Sequence, residues 1–199
     1  MSFKSIVSVL FVILCSVQAH ALENHSANMK LFGKSLPPVG FVKFCAAGQE
    51  ECDVKGSPQD RLILSQAKWE MLEAVNSTTN AKIAPISDQD LYGVAENWTY
   101  PTNSGDCEDY ALLKKRLLQE MGVPADEMLI TVLLDEKNEG HAVLTVVTDK
   151  GDFILDNRHN DILRWDHTPY TFLKRQSQAD SKLWVSLRQK PPQVLVSSK

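Results

Sequence analysis

The chain has 199 residues, of which 21 are Lys or Arg and 25 are Asp or Glu, so its formal charge is −4. Apolar residues make up 43% and charged residues 23%, a composition typical of a globular protein. These proportions exclude a disordered, collagen-like or coiled-coil chain. The mild excess of acids argues against a nucleic-acid-binding protein, because such proteins usually carry a basic face.

The N-terminus has the pattern of a secretory signal. Lys4 precedes an apolar stretch at residues 6–17, and Ala19-His20-Ala21 follows as a cleavage site, so the signal comprises residues 1–21. A membrane anchor is the alternative, but the stretch is shorter than the roughly 20 residues that a spanning helix needs. We therefore expect an exported, soluble protein, periplasmic or secreted, with no transmembrane segment after cleavage.

Export changes how the cysteines are interpreted, because oxidising compartments favour disulfides. Three cysteines follow the signal, namely Cys45, Cys52 and Cys107. Cys45 and Cys52 flank a short flexible segment and can close a small disulfide loop, with two free thiols as the alternative. Cys107 then remains unpaired, and we expect chemistry at this thiol because an exported protein gains little from an idle one.

The first half of the mature chain contains two predicted helices. Residues 22–59 are rich in Gly and Pro and predict an irregular N-terminal arm that packs on a domain formed by residues 60–199. Apolar spacing predicts a helix over 60–79 that ends near the asparagines at 76 and 80. The clearest helix covers 104–122, with Cys107 in its first turn. Its late basic residues at 114–116 are interpreted as a solvated helix end.

Strand-like runs fill the second half. They lie at Met128–Leu134, 142–147 and 153–155, with a turn at 149–151 between the last two. Residues 165–172 predict a further helix or strand, and 183–187 a last strand. One helix followed by antiparallel strands predicts an α+β fold, in which the helix that carries Cys107 packs on an antiparallel sheet.

The start of the Cys107 helix poses an electrostatic problem. A helix N-terminus lowers the pKa of a thiol, but the neighbouring Asp106, Glu108 and Asp109 raise it, because like charges disfavour ionisation. Asp106 and Asp109 have the spacing of a capping box, in which their carboxylates would accept hydrogen bonds from backbone N–H groups. Alternatively, the carboxylates bind Ca²⁺, which prefers such oxygen ligands. Acids at a helix start are also common as simple complements to the helix dipole.

A histidine and an aspartate can meet on the strands that follow. If 149–150 is a two-residue hairpin loop, residue 148 faces 151, and Asp156 becomes the same-face diagonal neighbour of His141. The two side chains can then form a hydrogen bond. A three-residue loop with a bulge is the alternative, and it would put them on opposite faces. A lone histidine is also often structural.

Three motifs together resemble the bacterial transglutaminase-like cysteine proteinases. They are G-D-C-E-D-Y-A at 105–111, G-H-A-V-L at 140–144 and L-D-N at 155–157. L-Y-G at 91–93, Trp98-x-x-Pro101, Trp165 and Thr168-x-Tyr170 also fit this family. The resemblance covers about residues 40–187, which is most of the mature chain.

The resemblance implies a papain-like, transglutaminase-like fold with a catalytic triad. By position, Cys107 is the nucleophile, His141 is the general base and then acid, and Asp156 orients the imidazole. The backbone N–H of Cys107 is implied as part of the oxyanion hole. Trp98 is either a second donor or shield at this site, or a core aromatic residue.

Relatives in this family include a calcium-dependent periplasmic protease that cleaves large surface adhesins and so releases biofilm cells. The positions that match its calcium ligands are Asp106 and Glu108. The resemblance therefore implies a Ca²⁺ cofactor, a protein substrate such as a surface adhesin, and an inner-membrane regulatory receptor as partner. Three functions remain: a cysteine endopeptidase, a transglutaminase or deamidase that uses the same thioester, and a non-catalytic calcium-binding or interaction module.

Overall fold

A computed structural model describes residues 27–189, so the predicted signal at 1–21 lies outside the described residues. The helices are α1 (Val39–Ala46), α2 (Gln66–Lys82), α3 (Asp88–Tyr92) and α4 (Cys107–Glu120). The strands are β1 (Lys34–Ser35), β2 (Ala84–Pro85), β3 (Ser104–Gly105), β4 (Met128–Leu134), β5 (Gly140–Thr148), β6 (Gly151–Leu155), β7 (Leu163–Arg164), β8 (Thr171–Gln176) and β9 (Trp184–Ser186). None of the described helices has the length and apolarity that a membrane span requires.

Seven of these strands form one antiparallel sheet in the order β1-β9-β8-β4-β5-β6-β7. Helix α4 packs on β4 and β5 at the middle of the sheet, and α2 packs on α4. Strands β2 and β3 form a separate parallel pair. The predicted α+β fold, with the Cys107 helix on an antiparallel sheet, is confirmed.

Helix α4 ends as its sequence predicts. Gly122 has a φ of +90°, which glycine adopts at little cost, and the Val123 N–H donates to the Leu118 carbonyl at 3.0 Å. The helix starts at Cys107, later than the predicted residue 104, because Ser104–Gly105 pairs as a strand. Tyr110 and Leu118 are buried beneath it, so α4 contributes much of the central core.

Helix α2 differs from its predicted range of 60–79. Residues before Ser65 are extended, because Leu62 donates its N–H to the Val147 carbonyl, and Ser65 then caps the helix by accepting from the Lys68 N–H. The helix continues to Lys82, two residues beyond the predicted end at 76–80. Asparagine usually ends a helix by bonding to the local backbone, but the Asn76 amide bonds elsewhere in the chain.

The segment predicted as an irregular N-terminal arm contains strand β1 and helix α1. Phe41 and Phe44 on α1 are buried in the main core, where the Phe41 ring contacts Trp98 and Trp184. The predicted Cys45–Cys52 disulfide is confirmed, with 5.6 Å between the Cα atoms. This segment therefore packs as part of the main core.

The β5–β6 hairpin has the predicted two-residue loop at 149–150. Thr148 pairs with Gly151, and the ladder continues from there to Leu144 opposite Leu155. Because this register needs no bulge, His141 and Asp156 keep their predicted diagonal relation on one face.

The basic run at 114–116 is not a solvated helix end. Lys114 is 0% exposed and Lys115 is 2% exposed, because this part of α4 is covered on several sides. The Lys114 Nζ donates to Asn76 Oδ1 at 2.7 Å, and the Lys115 Nζ donates to Gln176 Oε1 at 3.2 Å. Burial lowers the pKa of Lys114 to about 7 and the pKa of Lys115 to about 8.

Replacing Lys115 with Met tests this burial. The folded-state pKa of Lys115 lies below its unfolded value, so the unfolded chain binds more protons between about pH 8 and 10 and wild-type stability rises there. Lys115→Met should be the more stable protein at pH 7, and its advantage should shrink by about 2 kcal/mol between pH 8 and 10. Gln176 Oε1 keeps the Ile130 N–H as a donor in the variant.

Urea unfolding at each pH measures this difference, with the exposed Lys82→Met as the control. A free-energy difference between wild type and Lys115→Met that stays constant with pH would contradict the burial of a charged amine.

Candidate active site

Cys107 lies at the junction of the central helix and the sheet. It is the first residue of α4, and its Sγ accepts a hydrogen bond from the Ala142 N–H of β5 at 3.3 Å. The thiol donates to Glu108 Oε2 at 3.2 Å. Just before the helix, Gly105 permits the close approach of Asp109, because a Cβ there would lie 2.6 Å from Asp109 Oδ2. The thiol therefore connects α4 to the strand that carries His141.

His141 and Asp156 form the bond that their hairpin spacing predicts. The His141 Nε2 lies 2.9 Å from Asp156 Oδ1, and both residues are only 3% exposed. An ionised carboxylate only accepts hydrogen bonds, so Nε2 carries the proton and Nδ1 holds a lone pair. His141 Nδ1 is buried and has no hydrogen-bond partner among the described residues. This nitrogen can accept a proton.

Asp156 is held by three donors. Besides His141, the Arg158 N–H donates to Oδ1 at 2.9 Å, and the Tyr170 hydroxyl donates to Oδ2 at 2.5 Å. Burial raises the pKa of Asp156, but the bonds from His141, Arg158 and Tyr170 outweigh it and lower the pKa to about 2. Asp156 is therefore a permanent anion at neutral pH.

Helix α2 holds the turn that contains Asp156. The Asn76 amide donates to the carbonyls of His159 and Asn160 at 2.9 and 3.0 Å. The Asn80 amide donates to the Asp156 carbonyl at 2.9 Å. These two asparagines, which were predicted to end the helix, instead fix the turn that positions Asp156.

Cys107 and His141 line one small cavity of about 160 Å³. Its other lining residues are Pro38, Glu96, Trp98, Glu108, Val132, Gly140 and Ala142. Trp98 is 6% exposed, packs against Phe41, and donates its indole N–H to Glu96 at 2.8 Å. This indole N–H already donates a hydrogen bond to Glu96, which favours the interpretation of Trp98 as a core aromatic residue. The residue also borders the cavity.

Three carboxyl groups meet beside Cys107. Oxygen atoms of Asp88, Asp106 and Glu108 all lie within 4.8 Å of one another. Asp106 and Glu108 are the predicted calcium ligands, whereas Asp88 was not predicted from the sequence. The Ile86 N–H bonds to the Gly105 carbonyl in the β2–β3 pair, and this pairing brings Asp88 to the start of α4. A weak two-residue strand gives no clear signal in the sequence.

Asp106 and Asp109 do not form the predicted capping box. Asp106 lies at the N-cap of α4 but makes no side-chain cap; its Oδ2 accepts from the Asp88 N–H at 3.1 Å. Asp109 Oδ1 accepts from the Thr99 N–H at 2.9 Å. The box is absent because the loop at 86–99 supplies donors that compete for these carboxylates.

The acids and the thiol share one electrostatic environment. Burial, together with the hydrogen bond and charge of Asp106, raises the pKa of Glu108 to about 9. Burial and the charge of Glu108 raise the pKa of Cys107 well above its usual value. Buried oxygens Oδ1 of Asp88 and Oδ1 of Asp106 have no hydrogen-bond partner among the described residues. Carboxylate oxygens of this kind are the ligands that hard cations such as Ca²⁺ prefer.

The sequence pattern of bacterial transglutaminase-like cysteine proteinases matches residues 31–191, which is most of the chain. The chain belongs to this family. It is therefore a cysteine peptidase with a transglutaminase-like fold. A comparison with curated proteins found no match.

Solved structures of a Legionella pneumophila protein agree with this assignment. Calcium-bound LapG is 26% identical with a TM-score of 0.52, and the match covers 67% of this chain and 76% of that one. LapG and EGTA-treated LapG are 24% identical with TM-scores of 0.50, covering 76% of this chain and 88% and 87% of theirs. The last two matches show similarity of fold.

Replacing Tyr170 with Phe tests the environment of Asp156. The variant removes one donor to the charged form, so the pKa of the Asp156 carboxyl should rise from about 2 by about one unit. Carbon NMR of this carboxyl between pH 1 and 6 measures the change. The exposed Tyr92→Phe is the control. An unchanged titration of Asp156 in Tyr170→Phe would contradict the hydroxyl bond.

Proposed function

We propose that this cysteine peptidase is an exported, calcium-dependent endopeptidase that uses Cys107, His141 and Asp156 as a catalytic triad. The observation that carries the proposal is the buried His141–Asp156 bond, which leaves the other imidazole nitrogen without a hydrogen-bond partner among the described residues, while His141 and Cys107 line one cavity. A nucleophile, a base and an orienting carboxylate in this relation are what acyl transfer through a thioester requires.

Each group has a defined step. The His141 Nδ1 takes the thiol proton, and the Cys107 Sγ attacks the scissile carbonyl carbon. The resulting oxyanion lies near the backbone N–H of Cys107, which has no intrahelical acceptor because it opens α4. His141 then gives the proton to the leaving amine, and the thioester is hydrolysed by a water that His141 deprotonates. Asp156 holds the imidazole throughout.

Asp88, Asp106 and Glu108 fit a calcium ion. The three groups offer only oxygen ligands, they lie close together, and two of their buried oxygens lack partners. Glu108 also accepts the thiol hydrogen bond, so the acid cluster and Cys107 are in direct contact. A bound Ca²⁺ would supply the positive charge that compensates these carboxylates beside the thiol.

The substrate is a periplasmic or surface protein. Family resemblance favours a large surface adhesin, with an inner-membrane receptor as regulator. Export is supported by the signal pattern at residues 1–21 and by the Cys45–Cys52 disulfide, which is typical of oxidising compartments.

Alkylation of Cys107 tests the triad without a known substrate. The mature protein, loaded with calcium, reacts with iodoacetamide, and peptide mapping reports the rate at Cys107 alone. We expect His141→Ala to slow this reaction by about 10²-fold, because the thiol loses its base. His159→Ala is the matched control, since His159 is exposed and gives only its backbone carbonyl to the site. If wild-type Cys107 reacts no faster than a thiol in the unfolded chain, the proposal is wrong.

Calcium titration tests the acid cluster. We expect Asp88→Asn to weaken calcium binding by about tenfold or more, because the variant loses a charged oxygen ligand. Isothermal titration calorimetry measures the affinity without reference to activity. Asp90→Asn removes an exposed carboxylate from the same short helix α3 and should bind calcium as the wild type does. Equal affinities of Asp88→Asn and wild type would exclude Asp88 from the site.

A further inference from the structure

His141 and Asp156 meet beyond the end of the ladder that joins their strands. The last paired residues of β5 and β6 are Leu144 and Leu155, so His141 lies three residues outside the ladder and Asp156 lies one outside it. The start of β5 still pairs with β4, where His141 faces Leu133. No β5–β6 backbone bond therefore fixes the separation between the turn that leads to His141 and the turn that contains Asp156.

An ion pair joins these two turns. The Arg158 Nη1 donates to Asp135 Oδ2 at 2.7 Å. The Asp135 side chain is 1% exposed and the Arg158 side chain is 40% exposed, so the acid is buried beneath a guanidinium that reaches the surface. The bond from Arg158 to Asp135 lowers the pKa of Asp135 to about 2, so the acid stays ionised.

Asp135 also shapes the turn that precedes His141. Its Oδ1 accepts from the N–H groups of Lys137 and Glu139 at 2.9 Å each. Asn138 in this turn has a φ of +62°, a conformation that few residues other than glycine adopt. The turn at 135–139 is thus fixed by one carboxylate that also binds Arg158.

Arg158 makes the matching contact on the other turn. Its backbone N–H donates to Asp156 Oδ1, the same oxygen that accepts from His141. The contacts close a ring that runs from His141 through the 135–139 turn to Asp135, then to Arg158 and Asp156, and back to His141. Every link in this ring is either covalent or a hydrogen bond of 2.7 to 2.9 Å.

We propose that Arg158 and Asp135 are positioning residues, which hold His141 and Asp156 at bonding distance where the β5–β6 ladder has ended. This inference rests on the proposed function, since it assigns a role in aligning that triad. Neither residue contacts the Cys107 thiol by hydrogen bond, but the Arg158 charge interacts with Cys107 electrostatically. Asp135→Asn leaves that charge in place, so a slower reaction in Asp135→Asn reports the effect that passes through the His141–Asp156 bond.

Three variants of the calcium-loaded mature protein test the ring. Arg158→Ala removes the guanidinium and keeps the backbone N–H to Asp156. Asp135→Asn keeps an oxygen for Lys137 and Glu139 but loses the charge that binds Arg158. We expect each to slow the alkylation of Cys107 by about tenfold to hundredfold, because small displacements of reacting groups have effects of this size. The double variant should be no slower than either single variant.

Two readouts separate positioning from loss of structure. Arg158→Lys keeps the charge and should recover part of the rate. The proton NMR signal of the His141 Nε2–H should weaken in Arg158→Ala, as this hydrogen exchanges faster with water. Arg164→Ala is the matched control, because it breaks a similar Arg–Asp pair with Asp166 that makes no hydrogen bond to Cys107, His141 or Asp156 among the described residues.

The outcomes distinguish this inference from the function on which it rests. If Arg158→Ala and Asp135→Asn react at the wild-type rate while His141→Ala is slow, the ring has no role and the triad stands. If Arg164→Ala slows the reaction equally, or if the two single effects add in the double variant, the inference is also overturned. If His141→Ala itself reacts at the wild-type rate, the proposed function is wrong, and the inference that rests on it is wrong as well.

Discussion

Carboxyl groups are concentrated where helix α4 begins, and the surrounding chain is arranged to hold them. Buried carboxylates are costly unless hydrogen-bond donors or cations stabilise them. The loop at 86–99 supplies donors: the Asn97 N–H bonds to Asp88, and the Thr99 N–H bonds to Asp109. This loop covers the acids and supplies the backbone N–H groups that bind them. The short β2–β3 pair holds one end of the loop against α4.

The site combines residues from two structural elements. Helix α4 supplies the thiol and two of the acids, whereas the β5–β6 hairpin supplies the imidazole and its carboxylate. The N–H of Ala142, which donates to the Cys107 Sγ, links the two units directly. Packing of α4 on β5 therefore sets the geometry of the site. Substitutions in the core beneath α4 will shift the position of the thiol, because a close-packed core transmits strain.

The sequence predicted those features that depend on local chemistry. Of the two hairpin loops that the sequence allows, the structure has the two-residue loop at 149–150, whose register puts His141 and Asp156 on one face. The motif at 105–111 placed Cys107 at a helix start. The sequence did not predict Asp88, because only tertiary pairing brings it to α4.

Polar residues inside helices were the other source of error. Asn76 was interpreted as a helix end and Lys115 as a solvated residue, since both types usually have these roles. In the structure each is buried and bonded to a distant segment. Such roles depend on what packs against the helix, and a periodic pattern contains no information on that. Arg158 is similar, because its place in the sequence gives no indication of its partner Asp135.

The hydrogen bond from the Cys107 thiol to Glu108 has a consequence for the survival of the enzyme. Peroxides and disulfides attack thiolates much faster than protonated thiols. Without a bound cation, a thiol that keeps its proton against Glu108 is therefore protected from such oxidants. The acid cluster thus helps to keep Cys107, the free cysteine of the described residues, in its reduced form.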